Sequence, residues 1–288
     1  MPDKFSAVWV SHSSISDFQK CPRAYYLKNV YKNPENRHKM TIMSPALALG
    51  GTVHEVIEAL SNLPTDSRFN ESLITKFNVI WDKVSGKKGG FSSPEQEEKF
   101  KQRGIDMLRR VSENPGPLKN LAVKIKMDLP SFWLSEADEI MLCGKVDWLE
   151  YLPDTDMVNI IDFKTGKGEE SDDSLQLPIY ALLVANCQKR KTNNVFYWYI
   201  DRSSELSQRP VPDLDEAHLR VLAAAKEIKL ARKLERYKCK NGEEGCMHCR
   251  PFEKVLRGEA EFVGVNEYRA DVYIMKDTVD IEEDSVIL

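Results

Sequence analysis

The segment Asp162-Phe163-Lys164-Thr165-Gly166 follows Gly144-Lys145-Val146-Asp147 closely in the chain, and together they hold the residue types needed to cut a phosphodiester. Two carboxylates, Asp147 and Asp162, can hold a hard divalent cation through oxygen ligands. A lysine beside that ion, Lys164, can orient or help deprotonate an attacking water and stabilise charge developing on a phosphate. An Asp-x-Lys pair alone is ordinary at a solvated strand end. The upstream Asp147 gives this one chemical weight.

Strands must bring these residues together. Ile140, Leu142, Val146 and Trp148 recur with a two-residue period, which predicts one strand from Ile140 to Trp148 with Cys143, Lys145 and Asp147 on its other face. Pro153-Asp154-Thr155-Asp156 is turn chemistry, so this strand should form an antiparallel hairpin with Met157–Lys164. There Asp162 and Lys164 share a face, while Ile161 and Phe163 point the opposite way. Gly166 and Gly168 end the strand.

Elsewhere, Ser14 should cap a short helix with Ile15 and Phe18 on one face. Pro22 interrupts it before Arg23 to Val30, and Pro34 to His38 reads as a loop. Ser44 caps a helix with Pro45 in its first turn and His54 within it, and Glu58 follows one turn later on the same face. Residues from about Leu63 to Gly116 read as a helical insertion, broken by a mobile basic loop at Gly86–Ser93. Leu121, Val123, Ile125 and Met127 alternate as another strand. Val195 to Ile200 is a buried aromatic strand, and a helix after Pro212 leads to a cysteine-rich loop. Gln176 and Tyr180 sit four apart on a helix after the hairpin.

Of the 288 residues, 42% are hydrophobic and 30% charged, enough for a packed core in a soluble α/β chain. The amino terminus lacks a signal-peptide pattern, and the longest apolar run, Ile179 to Cys187, is too short to span a bilayer. A cytoplasmic protein without membrane partners is expected. The net charge of −4 hides a strong asymmetry. Glu259–Leu288 is acidic, leaving the remainder net basic. Lys226, Lys229, Arg232, Lys233, Arg236, Lys238 and Lys240 form a run suited either to tracking phosphates or to an ordinary solvated face. Tyr268 to Met275 reads as a late strand, with Asp277 onward disordered. No Gly-x-x-x-x-Gly-Lys-Ser/Thr loop occurs, so the chain has no helicase motor.

Taken in order, Ser-His-Ser-Ser-Ile-Ser with Cys21-Pro22-Arg23-Ala24-Tyr25-Tyr26, Gly51-Thr52-Val53-His54, Gly144–Asp147, Asp162–Gly166, Gln176-Leu177-Pro178-Ile179-Tyr180 and the cysteine cluster resemble the RecB-type branch of the PD-(D/E)xK nucleases. That branch includes the nuclease domains of RecB and AddB and the CRISPR-associated RecB-like exonucleases. The resemblance, from about Ser11 to Phe252, implies a restriction-endonuclease-like core: a central mixed sheet flanked by helices. It implies one nuclease domain over 1–258 with the helical insertion at about 63–116, followed by the acidic segment 259–288. Asp147 and Asp162 would bind Mg²⁺ or Mn²⁺, with His54 and the backbone carbonyl of Phe163 as further ligands. Lys164 would be the catalytic lysine, with Gln176 and Tyr180 lining the site. A partly buried helical histidine and ordinary helix packing are the plainer alternatives for His54 and Tyr180.

Six cysteines in a cytosolic chain suit ligands or core positions better than disulfides. Cys143 and Cys187 read as structural. By resemblance, Cys21, Cys239, Cys246 and Cys249 would clasp a [4Fe–4S] cluster, tying both chain ends together. The spacing departs from the relatives, because Cys239 precedes the Cys246/Cys249 pair where a later cysteine is usual. Four cysteines, or three with His248, also suit structural zinc. The expected activity is a metal-dependent DNA exonuclease working beside a helicase or a CRISPR integrase complex. The alternative is a non-catalytic DNA-binding or assembly subunit, and RNA remains open as a substrate.

Overall fold

Serine and aspartate caps set the frame of helices. After β1 (Val8–Val10), α1 spans His12–Lys20 and is capped by Ser11, whose side chain accepts from the Ser14 amide while Ser14 returns a bond to the Ser11 amide. This capping box moves the helix start three residues ahead of the Ser14 cap expected from sequence. Cys21 breaks the helix, α2 covers Pro22–Tyr25, and a π-helical turn runs from Tyr26 to Val30. Next comes β2 (Lys39–Ile42), a strand too short and polar to show a period, then α3 (Pro45–Ala59), capped by Ser44 as expected. The interval 63–116 supplies α4 (Leu73–Trp81) and α5 (Pro94–Glu113). Strands β3 (Ser131–Ser135), β4 (Ile140–Cys143), β5 (Trp148–Leu152) and β6 (Met157–Lys164) follow. Then come α6 (Gln176–Cys187), β7 (Thr192–Tyr199), β8 (Ser207–Arg209) and α7 (Leu214–Lys233). The last elements are α8 (Arg250–Leu256), β9 (Ala260–Val265) and β10 (Ala270–Met275). This computed structural model describes residues 3–275, so the stretch from Asp277 onward, expected to be disordered, lies outside the described residues.

The central sheet has the order β5-β6-β7-β8 and is mixed, as the α/β reading requires. Strands β5 and β6 form the expected antiparallel hairpin, with Trp148 opposite Ile161 and Leu152 opposite Met157. Strand β7 runs parallel to β6, so the chain must cross over between them, and α6 is that crossover. The side chains of β6 alternate between two cores. Val158 and Ile160 enter one with α6 and α7, while Ile161 and Phe163 enter the other with Trp148, Trp198 and helices α3–α5. The helical interval therefore builds the layer on one face of the sheet, with Phe77, Trp81, Met107 and Leu108 buried in it.

Two smaller sheets flank this centre, with orders β1-β4-β3 and β2-β10-β9. The strand expected over Ile140–Trp148 is divided at Gly144. Its first half, Ile140–Cys143, pairs with β1 and β3; Gly144–Asp147 is a linker, and only Trp148 of the second half joins β5 and pairs with β6. A Cβ at Gly144 would stand 3.0 Å from Leu183 Cδ1 of α6, so a larger residue there would have to push that side chain aside. Ile140, Met141 and Leu142 are all buried, and no two-residue alternation survives there. The strand expected from Leu121 to Met127 amounts to one bridge, Ala122 to Glu150. Leu121 and Met127 are exposed. The Gly86–Ser93 stretch is a packed turn rather than a mobile loop: Glu97 accepts from the Gly86 amide at 2.9 Å and Phe91 is buried against Trp81. The late strand over Tyr268–Met275 is present as β10. Among the described residues no helix is long and apolar enough to cross a membrane.

One core contact is tight enough to predict a substitution. An added Cβ at Gly104 in α5 would lie 2.4 Å from Phe77 Cζ and 3.0 Å from Leu49 Cδ1. Alanine ordinarily stabilises a helix interior by about 1 kcal/mol relative to glycine, but this collision should reverse the sign. Gly104→Ala is expected to lower stability by ~1–3 kcal/mol, measured by chemical denaturation, and a more stable variant would show that α4 and α5 pack less closely.

Candidate active site

Strand β6 places Asp162 and Lys164 two residues apart on the face toward α6, and α6 returns Gln176 and Tyr180 to them. Gln176 Nε2 donates to Asp162 Oδ1 at 2.6 Å, and its Oε1 accepts from Lys164 Nζ. Lys164 Nζ also lies 2.9 Å from Asp162 Oδ2 and 3.0 Å from Glu170 Oε2. Asp147 stands in the linker opened at Gly144 and is fastened by two bonds. Its Oδ2 accepts from the Phe163 amide at 3.0 Å, and its Oδ1 accepts from the Tyr180 hydroxyl at 3.2 Å.

Helix α3 closes the other side. Gly50 lets it approach the end of β6, since a Cβ there would meet Thr165 Oγ1 at 3.1 Å. One turn on, His54 Nδ1 lies 3.5 Å from Asp147 Oδ2 and 3.4 Å from Glu58 Oε1, and Glu58 pairs in turn with Lys145. The site therefore brings together His54, Asp147, Asp162, Lys164, Gln176 and Tyr180, with the backbone of Phe163 between the two acids. The Phe163 ring points away, into the core with Trp198.

Sequence reasoning missed Glu170, which sits in an aperiodic loop and pairs with the lysine. It also missed His12, whose pKa is lowered by burial against the opposing charge of Glu170. Their signals were weak: a Gly-rich turn after the strand, and a histidine within the Ser-His-Ser block.

Charge is crowded here. Burial first, then the neighbouring Asp162, pushes the Asp147 carboxyl up to about 7. Burial likewise raises Asp162, against the pull of Lys164. Burial opposes the Lys164 ammonium, but Asp162 and Glu170 outweigh it and raise its pKa. His54 is raised in the same way, with Glu58 and Asp147 outweighing burial.

Two buried acids side by side call for a positive charge beyond the lysine. Asp162 Oδ2 is buried and no donor is aligned to hydrogen-bond it, although Lys164 is near. His54, Glu58 and Asp147 can each direct a ligand atom to within 4.8 Å of the others. Carboxylate oxygens with one imidazole fit a hard divalent cation such as Mg²⁺ or Mn²⁺.

The cysteines sort as expected by sequence. Cys143 ends β4 and Cys187 ends α6, while Cys21, Cys239, Cys246 and Cys249 converge apart from the acidic site. The basic run is less available than its sequence suggests. Lys226 and Lys229 are paired with Asp138 and Glu139, and α7 ends at Lys233.

A mixed sheet whose inner strand ends in Asp-x-Lys, with a second acid held against that strand, defines a nuclease of the PD-(D/E)XK kind. The chain belongs to the PD-(D/E)XK nuclease superfamily, whose family model matches residues 9–252. Among solved structures it is similar to a protein from Eubacterium rectale provisionally named an exonuclease. The two share 15% identity with a TM-score of 0.49, over 84% of this chain and 87% of the other. No curated protein matches significantly.

Proposed function

We propose that this nuclease hydrolyses DNA phosphodiesters with Mg²⁺ or Mn²⁺ and works from DNA ends. The observation that supports it most is the convergence of His54, Asp147, Asp162 and Lys164 at the end of β6. Asp147, Asp162 and His54 would hold the cation, with the Phe163 carbonyl as a further ligand and Glu58 behind His54. Bound there, the ion would polarise the scissile phosphate and favour ionisation of an attacking water.

Lys164 keeps its proton at Nζ under the charges of Asp162 and Glu170. It acts as a fixed positive charge that orients the water and offsets charge developing on phosphate oxygens. Gln176 joins Lys164 to Asp162 and so keeps the ammonium from swinging into solvent. Tyr180, its hydroxyl kept protonated by burial, donates to Asp147. The exonuclease preference rests on His54, which lies beside Asp147, together with the resemblance to the RecB-type exonuclease branch. Unwinding or integration would come from a partner such as a helicase or a CRISPR integrase complex.

Labelled linear DNA and a covalently closed circle test this together. Linear DNA should be degraded with Mg²⁺ or Mn²⁺, the circle left intact, and chelation should stop the reaction. Asp162→Ala should lower the rate ~10³-fold or more, about 4 kcal/mol of transition-state stabilisation. Equal cutting of the circle would overturn the end-directed reading. Cation-independent DNA binding with no product from either substrate would favour a non-catalytic subunit.

A further inference from the structure

The four converging cysteines have a geometry of their own. Their sulfurs all lie within 4.8 Å of one another, and those of Cys246 and Cys249 are 3.9 Å apart. A single zinc with tetrahedral bonds of about 2.3 Å requires sulfurs about 3.8 Å apart. A [4Fe–4S] cube places each thiolate on a separate iron, so its sulfurs must stand roughly 6 Å apart. Four sulfurs this close leave a centre at most about 3 Å from each, which suits one ion and not a cube of eight atoms.

Backbone amides are directed at three of the four sulfurs. The Ala24 amide points to Cys21 Sγ at 3.5 Å, the Asn241 amide to Cys239 Sγ at 3.4 Å, and the Cys246 amide to Cys249 Sγ at 3.2 Å. Gly245, with φ of 70°, wraps the loop so tightly that a Cβ would meet Cys249 Sγ at 3.0 Å. Spreading the sulfurs for a cube would require this loop and the α1–α2 junction to move apart. Arg23 opposes that movement, since it pairs with Glu253 of α8 and bonds the Glu243 carbonyl. His248 is not among the converging groups.

We propose that Cys21, Cys239, Cys246 and Cys249 hold one structural zinc ion, in place of the [4Fe–4S] cluster expected from the family resemblance. Zinc displaces the thiol protons without any redox step and joins residues from opposite ends of the sequence. It staples the α1–α2 junction to α8, from which the chain enters β9 and β10. A link across so long a loop contributes directly to folding.

Protein purified anaerobically should be stripped with a chelator, then offered Zn²⁺ or, separately, ferrous iron with sulfide. The expected result is about one zinc per chain, restored thermal stability, and no brown colour from the iron arm. Cobalt(II) in place of zinc should show the intense visible bands of a tetrahedral thiolate site. Cys21→Ser should lower metal content and melting temperature, while His248→Ala should retain zinc fully. About four irons and four acid-labile sulfides per chain, with broad absorption near ~400 nm, would overturn the proposal. So would failure to bind zinc in the wild-type protein, or loss of zinc in His248→Ala. These readouts need no nuclease activity, so they succeed or fail independently of the proposed reaction.

Discussion

Asp147→Asn is expected to abolish DNA cleavage and, in metal-free buffer at about pH 8, to make the protein more stable than wild type. The acid accepts from the Phe163 amide through Oδ2 and from the Tyr180 hydroxyl through Oδ1; an asparagine oxygen can keep the first bond, and its amide nitrogen can donate to the Tyr180 hydroxyl oxygen once that hydroxyl proton turns away. What asparagine lacks is the charge. Burial and the adjacent Asp162 push the Asp147 carboxyl up to about 7 from 3.8. A carboxyl whose folded pKa is raised makes the fold prefer the protonated form. The resulting destabilisation is absent below about pH 4, grows between about pH 4 and 7, and is complete above that range. Metal-free wild type should therefore lose stability as pH rises through this window, and the asparagine variant should lose less. Each tenfold change in proton affinity between the folded and unfolded chain corresponds to ~1.4 kcal/mol. With coupling to Asp162 and relief from His54, about 1–3 kcal/mol is a reasonable gain, or several degrees of melting temperature. Mn²⁺ should stabilise wild type and leave Asp147→Asn nearly unchanged. Thermal melts at about pH 4 and about pH 8, at the two ends of this window, with and without Mn²⁺, provide the comparison. An equal Mn²⁺ effect in the variant would remove Asp147 from the cation site.

The residues proposed to carry the chemistry were more legible in the sequence than the framework around them. Asp162 and Lys164 lie in one strand, so a two-residue period sufficed to put them on one face. The hairpin was legible because Pro153–Asp156 states its own turn, and α3 because Ser44 and Pro45 mark its start. Asp147 does come against the strand that holds Asp162, but from a linker and not from the strand expected for it. The apolar positions Ile140, Leu142, Val146 and Trp148 imitate one strand, whereas Gly144 ends it under Leu183. That contact is tertiary and leaves no local trace. The same holds for Glu170, which meets Lys164 through a loop without period. The Leu121–Met127 alternation failed for a different cause: only Ala122 bridges to β5, and Leu121 and Met127 remain exposed. The cysteines show where the residues alone stop. The family resemblance, not the spacing itself, joined Cys21 to a loop more than two hundred residues away, and the size of any group they would hold depends on sulfur separations that spacing does not encode.

Lys164→Met should separate catalysis from cation binding. Methionine matches much of the side-chain length but removes the ammonium that stands between Asp162, Glu170 and Gln176. If Lys164 supplies charge to the developing transition state, kcat should fall ~10²–10³-fold, equivalent to about 3–4 kcal/mol. The stabilisation by Mn²⁺ should persist, because His54, Asp147 and Asp162 remain; this contrasts with Asp147→Asn, where both are lost. The pH profile carries a second sign. Lys164 is raised from 10.5 because Asp162 and Glu170 outweigh burial, so wild-type activity should show no loss from lysine deprotonation up to about pH 10. On the acid side, activity should fall as Asp147 and Asp162 gain protons. Glu170→Gln removes one of the two charges holding the ammonium but touches neither acid. It is expected to cost ~10-fold in kcat with the Mn²⁺ stabilisation intact. If Lys164→Met lost the Mn²⁺ stabilisation together with its activity, the lysine would be organising the acid pair rather than acting on the phosphate. Retention of that stabilisation with kcat reduced would assign it to the reaction itself.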